Sequence, residues 1–332
     1  MFPTGRFYRR VPANKMNEFD LIQRFFTRPV QGVELGVGDD AAIIRPGIGH
    51  DLHVSTDMLV EGRHFFPDVD PFALGHKTLA VNLSDMAAMG ARPRWALLSL
   101  ALPAVDPEWL GAFARGFFAL ADLHGVALVG GDTTRGPLTL SVTIVGEAPA
   151  GRALRRDAAQ VGDDVWVSGE LGAAALAVQH RLNGDQGLTE AALEACRRRL
   201  DYPQPRVALG ALLLDCAHAA VDVSDGLAAD LGHVLERSAL GAEIWFDAIP
   251  SPACLGVKRR PYLDALLSGG DDYELCFTAA SSERAAISSL ASAAGCRLSR
   301  IGRTVAEPGL RLLDADGNTL PLRSHGFDHF QD

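Results

Sequence analysis

An α/β fold in two domains is the architecture this sequence predicts, and three observations predict it. Apolar runs of strand length alternate with amphipathic runs of helix length along most of the chain. At 332 residues the chain exceeds the usual size of one domain. The stretch Glu-Ala-Pro-Ala-Gly at 147–151 breaks the alternation near the middle, as a junction does. We read residues 1–17 as an N-terminal tail, 18–148 as an N-terminal domain and 149–332 as a C-terminal domain.

Each element follows from local pattern. Phe19, Ile22, Phe25 and Phe26 space a short amphipathic helix over 18–27. A Gly-Asp turn at 36–40 leads to a strand at 42–44, and 53–56 is a second strand entering Asp57. Residues 71–90 read as a helix closed by glycine, and 95–102 as a strand. Asp106-Pro107 supplies an N-cap and a proline at the first helical position, for a helix ending near Gly125. Strands follow at 127–129 and 138–145. After the junction come strand 164–168, helix 173–181, helix 188–200, strand 219–223 and a helix to about Ser238. Strand 243–246, a turn at 268–273, strand 274–278 and helix 283–294 complete the series.

Composition excludes several function classes. The charge is −10, from 41 acids against 31 bases, which is not the basic footprint of a nucleic-acid-binding surface. Mean hydropathy is only +0.09, and no apolar run approaches the roughly 20 residues of a membrane span. The tail lacks the apolar core of a secretory signal, so the cytoplasm is the expected location. Five scattered cysteines without a C-x-x-C indicate reduced thiols, not a zinc knuckle or disulfide framework.

The position of the acids is more informative. Six turns share one grammar of Ser, Thr or Gly beside Asp. They are Gly36-Val-Gly-Asp39-Asp40, Ser55-Thr56-Asp57, Asn82-Leu-Ser84-Asp85, Gly130-Gly131-Asp132-Thr133-Thr134, Asp222-Val-Ser224-Asp225-Gly226 and Ser268-Gly-Gly270-Asp271-Asp272. Any single turn is explained by the ordinary turn chemistry of Asp and Gly. Six of them beside apolar strands are explained by cations, because carboxylates near a core are costly unless neutralised. All-oxygen ligands select Mg²⁺ or Ca²⁺ over zinc, and Mg²⁺ is commonly shared between carboxylates and substrate phosphates. Thr78, Asn82, Asp85 and Met89 form one helical stripe, which points Asp85 either to solvent or to a metal.

Competing motifs fail. Gly36-Val-Gly38-Asp-Asp-Ala41 has the outline of a dinucleotide fingerprint. Two carboxylates, however, stand where the pyrophosphate would approach, and a strand follows where a helix is required. None of the three lysines (Lys15, Lys77 and Lys258) follows a glycine, so a P-loop is absent. No protein-kinase catalytic loop or H-E-x-x-H is present. If ATP is used, metals, glycine turns and arginines must grip its phosphates.

The ordered set of these segments resembles the thiamine-monophosphate kinase family. The resemblance also rests on Met58–Phe65 after Asp57, on Arg135-Gly136, on Tyr273-Glu274-Leu275 and on the closing Gly326-Phe-Asp-His-Phe330. It runs from about Phe19 to Phe330. It implies an aminoimidazole-ribonucleotide synthetase-like fold: an N-terminal sheet domain that forms a homodimer, plus a C-terminal α/β domain. It also implies ATP-dependent phosphorylation of thiamine monophosphate to thiamine diphosphate, by in-line transfer assisted by several Mg²⁺ ions. Neither a covalent phospho-enzyme nor a side-chain acid or base is required. By the same resemblance Asp40, Ser55, Thr56, Asp57, Asp85, Asp132, Asp222 and Asp225 hold the metals. Gly131, Asp132, Arg156 and Ser224 contact ATP, and His64 and Asp271 contact thiamine monophosphate.

Two departures stand out. The common Gly-Gly-Glu-Asp-Tyr-Glu is Gly269-Gly-Asp271-Asp-Tyr-Glu274, with a shorter carboxylate. A tryptophan that some members carry before the closing motif is Ser324. Two other readings remain on the sequence alone: another synthetase of the superfamily, such as aminoimidazole-ribonucleotide synthetase, and a non-enzymatic binder of Mg·ATP. A selenophosphate synthetase would want an N-terminal reactive cysteine, whereas the first cysteine is Cys196.

Overall fold

The protein is described here by a computed structural model, which describes residues 16–256 and 259–322. Ser324 and the Phe-Asp-His-Phe330 motif lie outside the described residues. Two sheets organise the chain. The first has four strands in the order β1-β4-β2-β3: β1 (His50–Val60), β2 (Arg92–Leu102), β3 (Ala127–Arg135) and β4 (Thr139–Pro149). β4 is antiparallel to β1 and β2, whereas β2 and β3 run parallel. The parallel pair is joined by α3 (Pro107–His124), as such a crossover requires.

Short α1 (Glu18–Leu21) opens on a capping box between Asn17 and Asp20, then widens into a π-type turn at Ile22–Phe26. The expected strand at 42–44 is reduced to a single bridge, Leu35 to Ile43. The Gly-Asp turn at 36–40 on one side and the Pro46-Gly47-Ile48-Gly49 stretch on the other leave it short. α2 (Pro71–Ala88) is capped by Asp70, whose side chain accepts the Ala73 N–H. α3 begins on the Asp106 cap and ends at Gly125, in the left-handed conformation at φ +66° that glycine adopts without strain. Helices α2 and α3 pack on one face of the sheet so closely that Gly75 and Gly116 cannot carry a side chain. A β-carbon at either would stand 2.0 Å or less from a backbone oxygen of the other helix.

The second sheet has seven strands in the order β11-β10-β7-β9-β5-β8-β6. They are β5 (Asp164–Ser168), β6 (Ala219–Asp222), β7 (Gly241–Trp245), β8 (Leu275–Ala279), β9 (Leu298–Val305), β10 (Gly309–Leu313) and β11 (Thr319–Leu320). Its helices are α4 (Ala173–Asn183), α5 (Glu190–Asp201), α6 (Val207–Leu213), α7 (Leu227–Arg237), α8 (Leu263–Ser268) and α9 (Arg284–Ala294). One core packs Val165, Val167 and Val221 against Leu231, Val234 and Leu266; another stacks Trp166 on Phe277. α6, α8 and β9 to β11 have no counterpart in the sequence reading. Each is short, or lies in a segment whose apolar pattern fits strand and loop equally well.

All five cysteines are free thiols. No helix among the described residues is long and apolar enough to cross a membrane.

Candidate active site

A cleft of about 1050 Å³ opens between the two sheets. β1, the C-terminal half of α2, the end of β6 and the 268–273 turn all reach it. Strand alternation places Ser55 and Asp57 on the face of β1 that carries buried Leu59, toward α2. From α2, Asp85 receives the Ser55 hydroxyl at 2.5 Å, and the Asp57 and Asp85 carboxyls bond to one another. Its neighbour Ser84 turns the other way and donates to buried Asp222 at 2.7 Å. Two adjacent residues of one helix therefore tie β1 and β6 to a common point.

The loop after β6 is shaped by Asp230, in the first turn of α7. One oxygen of this buried carboxylate accepts the N–H groups of Ser224, Asp225 and Gly226, at 3.0, 3.0 and 3.1 Å. The 268–273 turn docks on the same loop: the Asp271 N–H donates to the Ser224 carbonyl at 2.7 Å, and the Tyr273 N–H to that of Val223 at 2.8 Å. Contact is close enough that a β-carbon at Gly270, φ +67°, would stand 2.4 Å from the Ser224 oxygen. Asp271 and Tyr273 themselves hold positive φ, +63° and +51°, which side chains with a β-carbon adopt only under constraint.

The two acids of this turn and Glu274 just after it have different fates. Asp271 faces the cleft and pairs with buried Lys77 of α2 at 2.5 Å. Asp272 points inward, and both of its oxygens accept the Gly172 N–H at the start of α4. Glu274 is buried against Arg206 and accepts the Ser168 hydroxyl at 2.5 Å. His64, after β1, accepts the Val60 N–H on Nδ1 at 2.9 Å, which leaves the ring proton of the neutral form on Nε2.

The acids of the cluster are all raised. Burial, then repulsion from Asp85 and Asp222, pushes Asp57 up to about 7. Burial and Asp85 raise Asp222 to about 7, against the opposing Ser84 bond and Arg156 charge. Asp85 is also raised by burial, while the Ser55 bond and Arg156 oppose the rise. Asp230 reaches about 7 through burial and the charges of Asp222 and Asp225. Carboxylates that hold protons this strongly lack a counter-charge, and a hard divalent cation supplies one. The oxygen-only donor set fits Mg²⁺. No three Asp, Glu, His or Cys side chains among the described residues close around a single ion, so such ions would complete their shells with phosphate oxygens and water.

The cleft gathers Thr56, Asp57, Asp85, Ser224 and Asp225 with Asp222, His64 and Asp271. Arg156 lies near enough to act on Asp85 and Asp222. Asp40, Gly131 and Asp132 are not among its lining residues. Register explains Asp132: it aligns with Ser99, Ser141 and Met58, whereas Asp57 aligns with buried Val142 and Leu98. Asp132 is thus on the opposite face of the sheet from Asp57, three strand spacings or about 14 Å across. Asp40 belongs to a segment whose Val33, Ala42 and Ile44 pack on that same outer face, over Trp95. The Thr56 hydroxyl donates to the Val142 carbonyl and accepts the Thr143 hydroxyl.

The sequence assigns no such role to Lys77, Ser84, Asp230 or the Arg206–Glu274 pair. A lysine within an otherwise apolar helix is a signal for a buried ion pair. Asp230, four residues after Gly226, is a first-turn acid placed to reach back to loop N–H groups.

The sequence and the fold match known proteins. Residues 38–148 match the model of the AIR synthase related protein N-terminal domain, and 160–315 that of its C-terminal domain. The thiamine-monophosphate kinase of Salmonella typhimurium is 44% identical over 322 residues, which is 94% of this chain and 98% of the relative. That of Escherichia coli K12 is 43% identical over 321 residues, 94% of this chain and 98% of the relative. The chain belongs to the thiamine-monophosphate kinase family. Among solved structures, the thiamine-monophosphate kinase of Stenotrophomonas maltophilia K279a is 50% identical at a TM-score of 0.81. The match covers 87% of this chain and 93% of that one. A structure described as AaThiL complexed with AMPPCP and TMP is 30% identical at a TM-score of 0.74, covering 98% and 100%. A thiamine-monophosphate kinase must bring two phosphate-bearing anions together, and the raised carboxyls of Asp57 and Asp222 mark a point of this cleft with unbalanced negative charge.

Proposed function

We propose that this chain transfers the γ-phosphoryl group of ATP directly to the phosphate of thiamine monophosphate, giving ADP and thiamine diphosphate, in the cytoplasm. Family membership supports the activity. The observation that carries the site is the meeting of Asp57, Asp85 and Asp222, three mutually repelling carboxylates from both sides of the cleft, on the shared points Ser84 and Asp85.

In this reading Asp57, Asp85, Asp222 and Asp225, with Ser55 and Thr56, hold Mg²⁺. Bound Mg²⁺ neutralises phosphate charge, the main obstacle to bringing the two anions together. Ser224 and Arg156 orient ATP. His64 and Asp271 orient the acceptor, with Lys77 fixing the Asp271 carboxylate. The acceptor oxygen is already anionic, so no residue needs to remove a proton; positioning and charge neutralisation carry the rate.

Asp40, Gly131 and Asp132 enter this scheme through a second copy of the chain. The sheet face that carries Asp132 and the Asp40 segment also exposes Val54 (65%) and Met58 (57%), an apolar surface that a homodimer would cover; Gly131, in register with Leu98 and Asp57, takes part as the backbone next to Asp132. Residues 18–148 would then form the dimerising half and 149–332 the half that closes the cleft. The test is direct: incubate the protein with ATP, Mg²⁺ and thiamine monophosphate and measure thiamine diphosphate. No product from folded protein would overturn the activity. A Val54→Glu/Met58→Glu variant that stays dimeric by light scattering would overturn the interface.

A further inference from the structure

We infer that Phe66 and Asp68 form the seat for the cationic thiazolium ring of the substrate, and that Arg181 occupies this seat until substrate arrives. The inference rests on the proposed activity. The cleft has two unlike ends. One holds the acid cluster, where phosphates and their counter-ions gather. The other adds apolar and aromatic surface, from Val60, Phe65, Phe66 and Val69, between charged side chains such as Asp68, Asp70 and Arg181. Thiamine monophosphate has matching ends: a phosphate, and a planar ring with a permanent positive charge. A positive ring is repelled by the counter-ions at the first end, so it needs a surface at the second that attracts planar cations.

The structure already shows such a surface occupied. The guanidinium of Arg181, near the end of α4, lies 4.1 Å from the centre of the Phe66 ring and pairs with the Asp68 carboxylate. A planar cation thus has an aromatic face beneath it and a carboxylate at its edge, which is the environment a thiazolium ring requires. All three residues line the cleft, and the side chains of Arg181 and Asp68 remain largely exposed, at 45% and 67%, so exchange costs little desolvation. Arg181 belongs to the C-terminal half and Phe66 and Asp68 to the N-terminal half, so the contact also bridges the mouth of the cleft. Beside Arg181, His180 lines the same corner, and its buried Nδ1 has no hydrogen-bond partner. A buried nitrogen without a partner calls for one, and a bound ligand can supply it.

The experiment compares thiamine monophosphate with its neutral thiophene isostere, in steady-state kinetics on the full chain. Phe66→Ala and Asp68→Asn should each raise KM for thiamine monophosphate by about 3- to 30-fold, the span of cation–π strength from exposed to desolvated sites. KM for ATP should stay within about twofold, and Phe66→Tyr should restore the wild-type value. Asp68→Asn should erase the preference for the cation over the isostere. Arg181→Met, which removes the competing cation, should lower KM for thiamine monophosphate. An Arg181→Met variant that raises KM as Phe66→Ala does would overturn the inference, as would a wild type indifferent to ring charge. If the wild type forms no thiamine diphosphate, the proposed activity falls; if it does and the variants are unchanged, only the ring seat falls.

Discussion

Replacing Asp222 by Asn should make the metal-free protein more stable at pH 8, although it removes a buried hydrogen-bonded carboxylate. Asp222 is 4% exposed, and burial together with Asp85 moves it from an ordinary 3.8 to about 7. The folded state therefore binds this proton more tightly than the unfolded chain. Its stabilising effect is complete below pH 4 and disappears as pH rises through 7. Keeping the ionised form folded costs up to about 4 kcal/mol at 1.36 kcal/mol per tenfold. Asp57 and Asp85 titrate against the same charge, so their costs overlap and do not add. Asn still accepts from the Ser84 hydroxyl, so the substitution removes the charge and keeps the bond. A gain of about 2–4 kcal/mol corresponds to roughly 4–16 °C in melting temperature for a unit of this size. The measurement is thermal unfolding of both proteins at pH 5 and pH 8, with and without Mg²⁺. The gain should appear at pH 8, shrink toward pH 5, and be matched in the wild type by Mg²⁺, which should leave the variant unmoved. An Asn variant that loses stability equally at both pH values would refute the reasoning, because Asp222 would then be a satisfied structural acid.

Other perturbations probe the scaffold. Arg206→Met strands the buried Glu274 carboxylate and should cost about 3–5 kcal/mol in urea unfolding. Gly131→Ala puts a β-carbon 1.8 Å from the Leu98 carbonyl oxygen at a φ of +147°; it should weaken Mg·ATP binding at least tenfold by calorimetry, roughly the effect of losing 1.4 kcal/mol. Asp230→Ala frees three loop N–H groups and should raise the Mg²⁺ half-saturation point well before it changes KM for thiamine monophosphate; Asp230→Asn, which still accepts those bonds, should recover most of the loss. Turnover at limiting Mg²⁺ should rise from pH 6 to pH 8, because protons and metal compete for Asp57 and Asp222 near pH 7.

What the sequence determined by itself is whatever depends on near neighbours. Helix starts and stops follow from single caps: Asp70 and Asp106 each bond N–H groups two or three positions ahead, and Gly125 needs only its own left-handed backbone. Ser55, Asp57 and Asp222 are legible as strand-borne polar groups because alternation fixes their faces. The family order of the acidic turns made a kinase readable without a P-loop.

Tertiary structure decided which equivalent acids do what. Asp271, Asp272 and Glu274 lie within four positions, yet one faces the cleft and two are consumed inside, because Lys77, Gly172 and Arg206 approach from 68 to 194 residues away. Ser84 and Asp85 diverge to different sheets because each meets a different strand. Asp132 and Asp57 share one motif type and stand on opposite faces, a fact fixed by strand register across four strands and not by either neighbourhood. Local sequence sets φ, ψ and periodicity; the assignment of a charge to the cleft, to an ion pair or to the other face of a sheet is set by what the folded chain brings within a few ångströms of it.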